Sequence, residues 1–565
     1  MRLSACLLST ALATVILASD LQAECNVWVV TRTERVLRDA PAGTETSAKL
    51  AAARNEWESF QILLRSDAAV SGVNIEPADL AGPGGAVLPA SQATLYRQHQ
   101  FELTVPTYRN DDAKLGWYPD ALIPFCDPET NQPLTGARLT AVPFELPAQQ
   151  THGFWVDVFV PEGAAPGEYQ GTYRVTAAGK LLATVPVSLT VWDFQLPQVP
   201  TMVTALGSPA ERMRGYYGKL AKAGKEAEPS DWSVIDEQCA ELLARHRINA
   251  SLPPGTVAPL AQPDGTFVVP SEQIDAIRQF VDRYHVNALQ LPHPRTAVKD
   301  PEKEGEKLRA WLAAWDRAAA QLERPGVVLF VYLRDEPNDE EAYKYVQLWG
   351  RAIRAAGSVV KVMVVEQTWT QDEKWGDLYG AVDIWCPLFP LFKPESAARR
   401  QALGETVWTY TALTQRDPTP WWHTDFPLLN YRVPAWIAWR YRIRGILYWG
   451  GMSYWNDVED PWTDPGTLDR RDRNPKLMYN GEGSLVYPAR VVGYEGIAPS
   501  LRLKALRDSI EDYEYFAILD RSGLESQAQQ LVVSLAESWF QWNPDPSAYE
   551  AARSGLAGMI VSAGK

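Results

Sequence analysis

The residues best placed for chemistry lie in Val327–Asp339, "VVLFVYLRDEPND", where an apolar run ends in Arg334, two adjacent acids, Asp335 and Glu336, and a proline. Two carboxylates held close together do not both ionise cheaply, so such a pair divides into a protonated acid and an anion. That division of labour is what cleavage of a glycosidic bond requires. Other Asp-Glu neighbours, at Asp236–Glu237, Asp339–Glu340 and Asp372–Glu373, fall in helical or loop patterns and read as solvated surface. The competing role for the pair is structural: Asp335 or Asp339 capping the next helix, with Glu336 in or near its first turn.

Spacing restricts the mechanism further. In ordinary retaining or inverting pairs the carboxyls stand about 5–5.5 or 6.5–9.5 Å apart across the scissile bond, and they normally come from different strands. Adjacent acids suit a different scheme, in which the substrate supplies its own nucleophile and the second carboxylate steadies it.

The elements that must hold these acids are legible from hydrophobic period. Strand-like runs at Met202–Leu206, Ile248–Ser251, Ala288–Leu291, Val327–Leu333, Val360–Val365, Val382–Trp385, Val407–Tyr410 and Ile446–Trp449 alternate with helical patterns such as "SEQIDAIRQFVDRYH". This predicts a (β/α)8-like barrel, imperfect because the connections after Glu366 and Trp385 are weakly helical. Chemistry in such barrels sits where strands end and the following loops begin, and Asp335–Glu336 ends the fourth strand. Upstream, "SFQILLRS", "FWVDVFV" and "VPVSLTVWDF" alternate apolar and polar residues between Gly/Pro turns and predict an antiparallel β-sandwich. The expected division is a signal peptide over 1–23, a sandwich over 24–195, a catalytic barrel over 200–520 and a helical extension over 521–565.

The 565 residues call for more than one domain. A net charge of −15 with no basic stripe argues against a nucleic-acid partner. Twenty-two tryptophans suit stacking on sugar rings as well as filling cores. The apolar N-terminal stretch, ending near Ala23, predicts a secreted or periplasmic protein. No later run is long enough to span a bilayer. After the signal, Cys25, Cys126, Cys239 and Cys386 form no disulfide framework, and a Cys25–Cys126 pairing stays open. The six histidines have no metal-ligand spacing, so neither metal nor cofactor is expected. Oligomeric state is not readable from the sequence.

Five segments, "ARNEWESFQI", "GWYPDALIP", "LRDEPND", "GILYWGGMSYW" and "LRDSIEDYEYFAIL", taken in order, resemble glycoside hydrolase family 123 over nearly the whole mature chain. The resemblance implies a β-N-acetylgalactosaminidase-like glycosidase acting on a glycan or glycoconjugate by retaining, substrate-assisted catalysis. Glu336 would be the general acid/base. Asp335 would orient the 2-acetamido group and stabilise an oxazolinium ion. For the sugar pocket, strand-end logic offers Tyr410 as a hydrogen-bond donor to the acetamido oxygen and Trp449 as a stacking floor. It adds Trp385 and Asp383 at another strand end, Asn456 after the last strand, and Arg334 beside the acids. Tyr118 and Asp120 would reach over from the sandwich. Two other readings compete: a retaining glycosidase with Glu366 as separate nucleophile on unmodified sugars, and an inactive carbohydrate-binding protein of the same fold.

Overall fold

The computed structural model describes residues 25–128, 130–413 and 419–564; the expected signal peptide lies outside them. Residues 25–195 form two packed sheets. One is five-stranded, with Cys25–Thr31, Glu56–Ser66, His152–Val160, Ala93–Leu103 and Gly116–Pro124 side by side and antiparallel. The other is built around Gly167–Ala177 and Lys180–Gln195, with Ala48–Arg54 added as a parallel strand. Period-2 alternation buries Phe60, Ile62, Phe154 and Val156 of the first sheet against Tyr173, Val175, Val187 and Leu189 of the second. Cys25 and Cys126 are free thiols, so the bridge left open by the sequence is not formed.

The barrel follows as seven parallel strands: Val203–Ala205, Gly445–Tyr448, Thr406–Thr411, Ile384–Trp385, Lys361–Val365, Val328–Asp335 and Ala288–Gln290, in that spatial order. The eighth expected strand, Ile248–Ser251, does not form, and the seam between Val203–Ala205 and Ala288–Gln290 carries no backbone ladder. Asn249 stitches it instead. Its backbone N–H donates to Thr204 Oγ1 (2.8 Å), its side-chain amide donates to Thr204 O (3.1 Å) and Asn287 Oδ1 (2.7 Å), and its Oδ1 accepts from the Asn287 backbone N–H (3.0 Å). A side chain that bonds like a peptide group replaces the missing strand pairing. Inside the barrel Phe330, Met363, Val365, Ile384, Trp408 and Leu447 fill the layers. Outward residues such as Val331, Leu333, Val362 and Val364 meet the helices.

Three helices, Leu501–Arg521, Glu525–Leu535 and Pro546–Ala563, close the chain. The first is buried on nearly every side because it fills the space between barrel and sandwich. It faces the side of the five-stranded sheet turned away from the sandwich core, where alternation puts Ser59 and Asp157, while Glu56 and Glu58 share the parity of Phe60 and Ile62 at the end of their strand. Lys504 Nζ and Arg507 Nη2 reach Asp157 at 2.6 and 3.1 Å. Arg553 pairs with Glu56 and with Glu58 (2.9 Å), and Arg432 with Asp512 (2.7 Å). Burial alone would raise Asp157, but the charges of Arg507 and Lys504 outweigh it and hold this carboxyl far below its usual range. Among the described residues no helix is long and apolar enough to cross a membrane.

Candidate active site

Consecutive side chains on a strand point to opposite faces, so a regular strand would separate Asp335 from Glu336. Two local devices prevent this. Register with the neighbouring strand runs Val331 to Val362 and Tyr332 to Met363, then skips to Arg334 opposite Val364 and Asp335 opposite Val365. Leu333 is the extra, bulged residue. After the bulge the parity inverts: Arg334 falls on the helix side with Val364, and Asp335 shares the barrel-side face of Met363 and Val365. Glu336 then adopts a left-handed backbone, φ +37°, which turns its side chain back over the same opening. The two acids are exposed at the mouth, while Pro337 behind them is buried.

Each acid is held by a tyrosine from the barrel wall. Tyr332 donates its hydroxyl to Asp335 Oδ1 at 2.7 Å, and Tyr410 donates to Glu336 Oε1 at 2.5 Å. Burial, reinforced by the neighbouring carboxylate, raises both phenols far above their ordinary value, so they stay protonated and donate to the acids. Burial and the charge of Asp335 likewise raise the thiol of Cys386, which belongs to the barrel-side cluster. Neither acid caps the next helix: Asp339 does, accepting from the Ala342 backbone N–H at 2.7 Å. Glu366, one residue beyond Val365, is buried, its Oε1 accepting from the Gln367 backbone N–H at 3.1 Å. Burial, with a contribution from Glu336, pushes its carboxyl up to about 8.

The remaining candidates separate cleanly. Trp449 sits at the end of the last barrel strand, half-buried, its indole N–H bonded to Glu482 and its ring 4.9 Å from that of Tyr454. Asn456 is exposed on the loop beyond it and accepts from Lys219 Nζ through its carbonyl (2.7 Å). Trp385 is turned outward among the helices and donates to Glu405 Oε2 (2.7 Å), because its register partner Val364 faces outward too. Asp383 precedes its strand, which puts it at the opposite end of the barrel, bonded to the Val362 N–H (2.9 Å) and paired with Arg354 (3.1 Å). Tyr118 and Asp120 are buried where sandwich and barrel meet. Tyr118 donates to Lys114 O (2.7 Å), and Asp120 binds Tyr487 (2.6 Å) and Arg502 (2.9 Å). Arg334 lies over the Tyr345 ring, its guanidinium carbon 5.9 Å from the centroid. The structure therefore gathers Asp335, Glu336 and Tyr410 at one opening, with Trp449 at the end of the strand beside that of Tyr410, and leaves Trp385, Asp383, Tyr118 and Asp120 outside it, while Asn456 lies on the loop beyond, against Lys219. Tyr332 escaped the sequence reading; its signal was an aromatic three residues before an acid at a strand end.

Among the described residues no group of three His, Cys, Asp or Glu side chains is arranged to hold a metal ion. What the opening offers is two carboxylates, two phenolic donors and an indole.

Residues 319–519 match the family model for the glycoside hydrolase 123 catalytic domain, and residues 32–177 match that for the glycoside hydrolase 123 N-terminal domain. No curated protein matches the chain. Among solved structures, a family 123 glycoside hydrolase from Clostridium perfringens, described for glycolipid glycan hydrolysis, is similar over 95% of this chain and 97% of its own, with a TM-score of 0.63 at 15% identity. Likeness to a family 39 glycoside hydrolase from Bacteroides cellulosilyticus is slight, with a TM-score of 0.30 at 10% identity over 84% and 82% of the two chains.

Proposed function

Because the chain belongs to glycoside hydrolase family 123, we propose that it hydrolyses a terminal β-linked 2-acetamido sugar, N-acetylgalactosamine first among the candidates, with retention at the anomeric carbon. Glu336 protonates the glycosidic oxygen as the acetamido oxygen attacks the anomeric carbon, and then takes a proton from the water that opens the ring so formed. Asp335 orients the acetamido group and carries the negative charge beside the oxazolinium ion. The observation that carries this reading is the bulge at Leu333 followed by the left-handed Glu336, which turn adjacent carboxylates onto one opening. Tyr332 fixes the Asp335 carboxylate, and Tyr410 holds Glu336 until a substrate displaces one of its contacts. The glycolipid-type glycan in the description of the clostridial protein is part of the proposal for this chain.

A scheme with a separate nucleophile would fall to Glu366, and its surroundings oppose that role. It is buried, and with its carboxyl at about 8 it is protonated at neutral pH. A nucleophile must be an exposed anion facing the anomeric carbon.

The test is a pair of aryl glycosides, 2-acetamido-2-deoxy-β-galactoside and its 2-hydroxy counterpart. Turnover of the first alone, with the β-anomer released initially, is the expected result. Turnover of the second alone removes substrate assistance, and hydrolysis of neither leaves a sugar-binding protein.

A further inference from the structure

Beside the catalytic opening two guanidinium groups converge on one tyrosine. Arg334 immediately precedes the acids, and the bulge that turns Asp335 into the opening turns Arg334 to the other side. Arg295 comes from the loop after the adjacent strand Ala288–Gln290. Their guanidinium carbons lie 5.9 and 5.7 Å from the centroid of the Tyr345 ring, on helix Glu340–Ala355. Both are exposed, and among the described residues neither has a carboxylate within 4.0 Å, although the chain carries a net charge of −15. Lys299 adds a third cation, its Nζ 3.4 Å from the carbonyl of Arg295. Glu304 does not neutralise the group: it is held by the backbone N–H groups of Lys299 and Asp300 and by Lys307. Glu340 is taken by Lys344 (2.6 Å). Tyr345 is itself fixed, its hydroxyl 3.0 Å from His293 Nε2. Burial and the charge of Arg295 bring His293 down to about 4, so it stays neutral and adds no fourth charge.

Like charges gathered on one ring with no carboxylate paired to them repel each other and are relieved by a bound anion. A guanidinium fork suits a carboxylate or a sulfate ester. We infer that Arg295 and Arg334, spread over Tyr345, form a subsite for an anionic group on the glycan, so that the substrate is an acidic glycan carrying a carboxylate or sulfate near the cleaved sugar. This rests on the glycosidase reading above for its place in the reaction, but not for its existence as a binding site.

Two measurements keep the ideas apart. Equilibrium binding needs no turnover: titration calorimetry with methyl β-glucuronide, methyl β-glucoside and methyl β-glucoside 6-sulfate reads the subsite directly. The anionic ligands should bind about tenfold more tightly than the neutral one, the preference should shrink as salt rises, and Arg295→Gln with Arg334→Gln should abolish it. Comparing the carboxylate with the sulfate tells which anion the fork accepts. Equal binding of all three ligands overturns the subsite, whatever the enzyme cleaves. Kinetics then place it: kcat/KM for N-acetylgalactosaminyl-β-1,4-glucuronide over that for its glucose counterpart should exceed ten and fall towards one in the double variant. A ratio of one in the unaltered enzyme overturns the substrate class. Failure of both disaccharides and of the aryl 2-acetamido glycoside counts against the catalytic reading alone.

Discussion

Replacing Glu336 by Gln removes the proton that a poor leaving group needs, and replacing Asp335 by Asn removes the anion beside the oxazolinium. Glu336→Gln should therefore cost alkyl or sugar leaving groups about 10²–10⁴-fold in kcat/KM while sparing activated aryl glycosides more. Asp335→Asn should impair both kinds alike. Steady-state kinetics on a leaving-group series checks this, and an equal loss on all members for Glu336→Gln would remove it from the acid role. The residue types at 335 and 336 were legible in the sequence because charge at the end of an apolar strand is rare. Their shared orientation was not. No glycine marks the left-handed turn at Glu336, and a bulge at Leu333 depends on the register of a strand about thirty residues away. Trp385 and Asp383 were misplaced for a readable reason. An acid that precedes a parallel strand lies at the end away from the opening, and a strand's alternation fixes which of Ile384 and Trp385 faces in.

At the scale of elements, the helix Glu340–Ala355 separates capping from catalysis. Asp339 accepts from the Ala342 N–H and carries the cap alone. Asp339→Ala should lower stability by about 1 kcal/mol and leave kcat on an aryl glycoside within twofold, measured by urea unfolding and by kinetics on one preparation. A large loss of turnover with unchanged stability would make Asp339 part of the chemistry. Of the eight barrel strands that hydrophobic period predicts, seven form, as do both sheets of the sandwich, since burial on one face leaves a repeat of two. Ile248–Ser251 carries the same apolar signature. Asn249 decides otherwise, because its amide satisfies Thr204 and Asn287 directly and the backbone needs no ladder. A period-based reading counts apolar residues and cannot anticipate a side chain that takes over peptide hydrogen bonds.

At the scale of the whole molecule, charge does what apolar packing does elsewhere. Helix Leu501–Arg521 shows little amphipathic contrast because both of its sides are covered: one meets the barrel helices, the other the Asp157 side of the sheet. Arg507 touches Asp157 (3.1 Å), Ser59 (2.8 Å) and Asp508 (3.6 Å). Arg507→Met should destabilise by about 3–5 kcal/mol, as expected when one partner of a buried pair is removed, and urea midpoints with unchanged slope would measure it. A change below about 1 kcal/mol would mean that this pairing is solvated. The same network bears on how the catalytic part can be handled in isolation. A fragment beginning near residue 200 would strip Glu56, Glu58 and Asp157 from Arg553, Lys504 and Arg507 and uncover the face of helix Leu501–Arg521 that the sheet buries, leaving Arg553 with Asp512 and Arg507 with Asp508. The barrel is accordingly not a portable cassette, and an excised version should precipitate or stay unfolded until the sandwich is supplied in trans.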